Sequence, residues 1–249
     1  KTYVPRSSLP VYERQVFRAP LLGAGEPGGA TAGATVHEDE SVRLWHRDDG
    51  VLVFSTKTKM HVMGPDVIAG LERAIAEAES NYRALVIWHA DSADGGAFSA
   101  GADLQAMLPT FMAGGAKALD PFVARFQNTM MRVKYANVPV VAAVAGLALG
   151  GGCELLMHAG RRVVSLESYV GLVEVGVGLV PAGGGLKEIA LRSAREAKGN
   201  DILQFLKDRY MQAATAAVSK SALEAKKMGY LSKGDVIVLH PHELLHVAT

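Results

Sequence analysis

Apolar positions recur along this chain with periods that change every ten to twenty residues. After Ser41, Val42 and Leu44 alternate with polar neighbours, and Val51 and Val53 do so again beyond Asp48-Asp49-Gly50. A period of two on either side of an Asp-Gly turn predicts a β-hairpin. Pro65 then precedes Val67, Ile68, Leu71, Ile75 and Ala78, which fall on one face of a helix with proline in its first turn. Ala84 to Trp88 is apolar throughout, as a strand covered on both faces must be. Residues 109 to 118 carry two glycines and no firm period, and they read as a mobile lid. Phe122, Phe126, Met130 and Val133 mark a helix over Pro121 to Ala136.

The next apolar run, Val138 to Val144, passes through Ala145 and Gly146 into Gly150, Gly151 and Gly152 and then into a helix-like segment whose one carboxylate is Glu154. Three glycines remove every side chain at one point, so another molecule can approach the backbone there. A helix that starts at that point turns its unpaired N–H groups toward the visitor. Twenty residues on, Glu174 interrupts a further apolar run, Gly171 to Val180, which ends in Pro181-Ala182-Gly183-Gly184-Gly185. Three readings compete for this stretch. Both glutamates are surface charges, though their neighbours leave little polar face for either; Val138 to Cys153 spans a membrane, though about 16 uncharged residues are too few; or donors and carboxylates together form an active site.

The two ends differ from the middle. Pro5, Pro10 and Pro20 interrupt any helix, and Gly23 to Ala34 has linker composition, so residues 1–37 are expected to be a linker-like extension. Beyond Leu191 the sequence turns polar and predicts a helical stretch over Asp201 to Ala217. Ser221-Ala222-Leu223-Glu224 has the capping-box pattern and opens a helix that ends at Gly229, and Val236 to Leu239 reads as a short strand. His240, His242 and His246 invite a metal reading, but Glu243 is the only acidic residue near them and no cysteine joins them, so a terminal helix bearing histidines is the better one.

Composition narrows the class. With 249 residues, 49% hydrophobic and 20% charged, the chain is expected to be globular and soluble, with room for a sizeable core. A formal net charge of +1 gives no footprint for nucleic acid or for an acidic membrane surface. Cys153, the sole cysteine, cannot form an internal disulfide, and its apolar setting favours inert packing over a nucleophilic role.

The runs P-V-V-A-A-V-A-G-L-A-L-G-G-G-C-E and G-L-V-E-V-G-V-G-L-V-P-A-G-G-G resemble the signature of the crotonase, or enoyl-CoA hydratase, superfamily. Ala97-Phe98-Ser99-Ala100-Gly101-Ala102-Asp103-Leu104, after the strand Ala84 to Trp88, matches as well. Together they cover roughly residues 42 to 192, and three motifs in order are far more specific than one glycine-rich loop. The resemblance implies an α/β fold of stacked ββα units in a spiral with two roughly perpendicular sheets. It divides the chain into residues 1–37, a core over 38–192 and a divergent helical segment over 193–249 that lacks its last helices.

It also implies hydration of a trans-2-enoyl-CoA in fatty-acid oxidation, with Glu154 and Glu174 as catalytic carboxylates and the N–H groups of Ala102 and Gly151 as the oxyanion hole. Lys59, His61, Ala100, Asp103 and Leu104 are the expected substrate or CoA contacts; Met60-His61-Val62 stands where relatives have Asn-Ala-Leu, and Gln105 where they often have lysine. Glu154, in the first turn of its helix, is expected to be ionised and to activate water, and Glu174 to hold a proton for the α-carbon. Coenzyme A enters with the acyl-CoA substrate and no other cofactor is expected. YVPRSSLPVYERQVF resembles the connection after a 3-hydroxyacyl-CoA dehydrogenase module, so the full protein is expected to carry that domain, with its NAD. A cytoplasmic place and a homo-oligomer are further expectations, with no nucleic-acid or membrane partner. An isomerase of the same fold and a non-catalytic docking domain stay open at this point.

Overall fold

The computed structural model describes residue 31 and residues 33–249. The expected linker lies outside the described residues as far as residue 30, but its end does not remain a linker: Ala34–Glu38 forms strand β1. The chain continues as β2 (Val42–His46), β3 (Val51–Thr56), α1 (Pro65–Asn81), β4 (Ala84–Ile87), β5 (Ala97–Ser99) and α2 (Leu104–Tyr135). Then follow β6 (Val140–Leu149), α3 (Gly151–His158), β7 (Arg161–Gly171), α4 (Gly185–Ala197), α5 (Ile202–Ala214), α6 (Ala222–Lys227), β8 (Val236–Val238) and α7 (Leu244–Ala248).

The hairpin forms where the alternation predicted it, with Leu44 opposite Phe54 and Trp45 opposite Val53. β3, β4, β6, β7 and β8 are then parallel neighbours in that order, β1 flanks β2, and β5 lies beside β6. Successive residues of the central strands point to opposite faces. Leu44, Leu52, Phe54, Ala142 and Val144 join the larger core with α1, α2 and α3, while Trp45, Val53, Val86, Ala143 and Ala145 join a second core closed by Leu244 and Leu245 of α7. Both faces are covered, which is why β4 and β6 read as unbroken apolar runs.

Three expectations about elements need correction. The two sheets are one hydrogen-bonded sheet, because β6 does not end at Val144 but runs on to Leu149. Its first half pairs with β4 through Val140 to Ala142, and its second half with β5 through Leu147 and Ala148. The register with β7 shifts between the halves, at Gly146. Gly146 has φ +67°, and a Cβ there would lie 2.0 Å from the carbonyl oxygen of Gly96, so only glycine lets β6 make this passage. Residues 109–118 are not a separate loop, since α2 runs from Leu104 to Tyr135 with one break at Gly115 (φ 65°, ψ −161°). The boundary expected at residue 192 falls inside α4, while the short strand expected in the last segment forms as β8 and extends the main sheet beside β7.

On the α3–α4 side of the larger core sits a buried carboxylate, Glu188, 3% exposed. Lys134 donates a hydrogen bond to it; the His158 ring lies 3.7 Å away, Lys187 3.3 Å and Arg192 3.9 Å. Burial works to raise its pKa, but the Lys134 hydrogen bond and the charges of His158, Lys134 and Lys187 outweigh that and hold it below the usual carboxylate value.

Candidate active site

The site is assembled where β6 gives way to α3. Gly150 (φ 52°, ψ −124°) turns the chain, its N–H donating to Gly171 O at 2.9 Å, and the helix begins at Gly151. A helix leaves its first N–H groups without intrahelical partners, and the Gly151 N–H is spent on no other group among the described residues. The second donor comes from the segment after β5. Met63 N–H donates to Gly101 O at 2.8 Å and Met63 O accepts from Asp103 N–H at 3.2 Å, which brackets Ala102 and leaves its own N–H without a partner among the described residues. The two donors are neighbours: a Cβ on Gly101 would lie 3.1 Å from Gly151 N, and a Cβ on Gly151 would lie 3.4 Å from Ala102 N.

Both donors face a cavity of about 290 Å³ walled by Leu104, Met107, Leu119, Phe122, Val123 and Phe126 of α2 and by Val177, Leu179 and Val180. Glu154 and Glu174 open into the same cavity. Glu154 is 3% exposed and accepts from Gly185 N–H at 2.8 Å. Burial pushes its pKa up to about 8; the N–H groups of Gly185 and Gly183 oppose the shift and the charge of Glu174 adds to it. The expectation that the helix N-terminus keeps Glu154 ionised is therefore overturned, because desolvation exceeds what a dipole of one short helix supplies. Glu174 follows Val173 at the start of a 3₁₀ turn, Glu174–Val177, and neither of its buried carboxylate oxygens has a hydrogen-bond partner among the described residues. Its pKa is raised too, by burial first.

The remaining expected contacts divide. Ala100 and Leu104 line the cavity with Gly101, Ala102, Gly151 and the two glutamates. Asp103 instead caps α2, accepting from Ala106 N–H at 3.0 Å, and Lys59 is exposed and away from the cavity wall. His61 is not free to hold CoA: it is buried, and both ring nitrogens are used, by Thr56 Oγ1 and Asp91 Oδ1, each at 2.8 Å. Cys153 is buried with its thiol pushed well up by desolvation and by Glu174 and Glu154, so it packs rather than attacks. Among the described residues no group of His, Cys, Asp and Glu is arranged to hold a metal ion, His240 and His242 included.

Sequence reading missed the role of Gly183 and Gly185. A Cβ on Gly183 would lie 2.2 Å from Glu154 Oε2 and one on Gly185 3.0 Å from Oε1, so the second glycine run is the cradle of the first glutamate. Its signal was present in Pro181-Ala182-Gly183-Gly184-Gly185, whose distance from Glu154 in sequence hid the contact.

The chain is similar to known proteins in sequence and in fold. A Bacillus subtilis protein described as a probable 3-hydroxyacyl-CoA dehydrogenase is 38% identical over 200 residues, 80% of this chain and 25% of its own length. A Rhizobium meliloti protein described as a probable enoyl-CoA hydratase is 34% identical over 152 residues, 61% of this chain and 51% of its own. The chain thus spans between a quarter and a half of these relatives. The crystal structure of an enoyl-CoA hydratase from Bacillus anthracis superposes with a TM-score of 0.65 at 23% identity, over 84% of this chain and 73% of that one, which gives the crotonase fold. Residues 50–216 match the family described as Enoyl-CoA hydratase/isomerase, and with glycine-framed donors and paired glutamates inside that span, this chain belongs to that family.

Proposed function

We propose that this domain adds water to the double bond of a trans-2-enoyl-CoA, giving the 3-hydroxyacyl-CoA. The observation that carries the reading is the convergence of two unspent backbone donors and two glutamates with raised pKa on one apolar cavity. The thioester oxygen accepts from the N–H groups of Ala102 and Gly151, which stabilise the enolate charge as the double bond is broken. One carboxylate takes a proton from water while its oxygen bonds to the β-carbon, and the other delivers a proton to the α-carbon. Burial first, with the charge of Glu174 adding to it, raises the pKa of Glu154 to about 8, so that carboxyl keeps a proton at neutral pH, as the second step requires. Migration of a double bond needs only one carboxylate to shuttle a proton, so the presence of two supports hydration.

Hydration is redox-neutral and asks for no electron acceptor; coenzyme A is part of the substrate. The chain matches a quarter of a longer relative named for dehydrogenase chemistry, which supports a place as one domain of a protein that also oxidises the 3-hydroxy product with NAD. Crotonyl-CoA tests the hydratase reading. Loss of the conjugated thioester's ultraviolet absorbance on adding the protein is the expected result, and no loss at any protein concentration overturns it.

A further inference from the structure

His61 lies outside the cavity wall, yet it is tied to the segment that supplies one of the two donors. Residues Lys59–His61 form a 3₁₀ turn in which Met60 (φ 53°) and His61 (φ 51°) adopt left-handed backbone, a costly state for two consecutive residues with side chains. The ring offsets that cost. Nδ1 meets Thr56 Oγ1 and Nε2 meets Asp91 Oδ1, each at 2.8 Å, and the face stacks on His89 with centroids 4.0 Å apart and planes 12° from parallel. His89 is itself fixed, its Nδ1 accepting from Thr56 N–H at 3.2 Å.

The turn so pinned holds the donor segment through its backbone. Met60 O accepts from Ala100 N–H at 3.0 Å. His61 O accepts from Ser99 Oγ at 2.7 Å, and Ser99 Oγ accepts in turn from Gly101 N–H at 3.1 Å. Two residues on, Met63 takes Asp103 N–H and donates to Gly101 O. From Ala100 to Asp103, then, three of the four N–H groups are bound to this turn or to Ser99, and the fourth is that of Ala102.

We propose that His61 is a positioning residue: by holding the 59–63 turn in its left-handed form through Asp91 and Thr56, it sets where the Ala102 N–H points. It touches no reacting atom. The kinetic part of this inference rests on the hydratase reading; the geometric part does not.

The test compares His61→Ala, Asp91→Ala and Asp91→Asn. Asp91 is exposed, 68% at the side chain, so its variants fold even where loss of the His61 ring does not allow folding. Removing one oxyanion donor costs about 10²- to 10³-fold, and misplacing one is expected to lower kcat for crotonyl-CoA about tenfold, with KM within about twofold. Asp91→Ala lowers kcat by less, and Asp91→Asn, which keeps an oxygen acceptor, restores most of the loss. The infrared carbonyl band of bound crotonyl-CoA moves to higher frequency in His61→Ala as the donor is lost. A raised KM with unchanged kcat overturns the proposal and returns the ring to CoA binding; so do rates and a carbonyl band that stay at wild-type values. If the wild type has no hydratase activity, the amide resonance of Ala102 in the free protein decides alone: a shift in Asp91→Ala supports positioning, and an unmoved resonance overturns it.

Discussion

Glu154 and Glu188 are equally hidden, 3% exposed each, and they come from adjacent helices, α3 and α4. Their chemistry is opposite. Glu188 is ringed by the cations Lys134, Lys187 and Arg192 beside the His158 ring, and its pKa is held below the usual value, whereas Glu154 has two backbone N–H groups, an apolar wall and a second carboxylate, and its pKa rises to about 8. Lys187 reaches both, yet for Glu154 its pull ranks below burial, the N–H groups and Glu174. A carboxylate buried for the fold is given cations; one buried for proton transfer is kept from them. Glu174, neither of whose carboxylate oxygens has a hydrogen-bond partner among the described residues, belongs with the second kind.

The comparison breaks most visibly in the rate. Glu154→Gln and Glu174→Gln keep the shape and hydrogen-bonding of the side chain while removing its acid–base capacity, and each is expected to lower turnover of crotonyl-CoA by about 10²- to 10⁴-fold while circular dichroism stays native. Either variant retaining near-normal turnover removes that residue from the chemistry. Glu188→Ala acts on stability instead. It leaves Lys134, 16% exposed at its side chain, without its acceptor, and losing the buried partner of such a pair costs at most about 3 to 5 kcal/mol, read from the denaturant midpoint, while kcat per folded molecule stays within about twofold. A destabilisation near that of an exposed ion pair, about 1 kcal/mol or less, shows that the cation cage does not hold the fold.

The pH dependence is the most gradual effect, smallest when taken per unit of pH, and its sign differs between the two. Glu154 has an unfolded value near 4.5 and a folded value near 8. Between those pH values the folded state keeps a proton that the unfolded state has lost, so stability falls as pH rises, by at most about 1.4 kcal/mol per unit. Glu154→Gln removes that slope and is expected to melt above wild type at pH 8.5. Glu188, with its folded value lowered, contributes in full above about 4.5, and that contribution is lost as pH falls through the folded value. Melting temperatures from pH 3 to 9 for wild type and the two variants check both signs; a Glu154→Gln protein no more stable than wild type at pH 8.5 contradicts the raised value.

What was legible in the sequence follows from how local its cause is. The β2–β3 hairpin, α1 and β4 follow from period and turn chemistry within each segment, and the two glutamates stood out because their neighbours offered them no polar face. The span of α2 was hidden by Pro109, Pro121 and the Gly114-Gly115 pair, which argue locally against a helix; burial of Phe126, Thr129, Met130 and Val133 overrides them in its second half. β1 and the outer half of β6 exist through pairing with β2, β5 and β7, which no single stretch reveals. The charge state of Glu154 was misread for the same reason: the helix N-terminus is local, but Phe126, Gly183 and Gly185, which exclude water from it, are distant in sequence. His61 was placed correctly in its loop, but its contact with Asp91 was not legible, since Asp91 lies thirty residues away.

Gly115 gives the break in α2 a meaning for selectivity. Leu104 and Met107 wall the cavity from one side of it, and Leu119, Phe122, Val123 and Phe126 from the other. Its φ of 65° with ψ of −161° is a conformation that essentially only glycine adopts. The angle between two wall segments is thus set at one residue that touches neither the donors nor the carboxylates. Under the hydratase reading, the acyl length a descendant of this chain prefers can drift by substitutions around that joint while the proton chemistry stays untouched, so substrate range and reaction type are free to evolve separately.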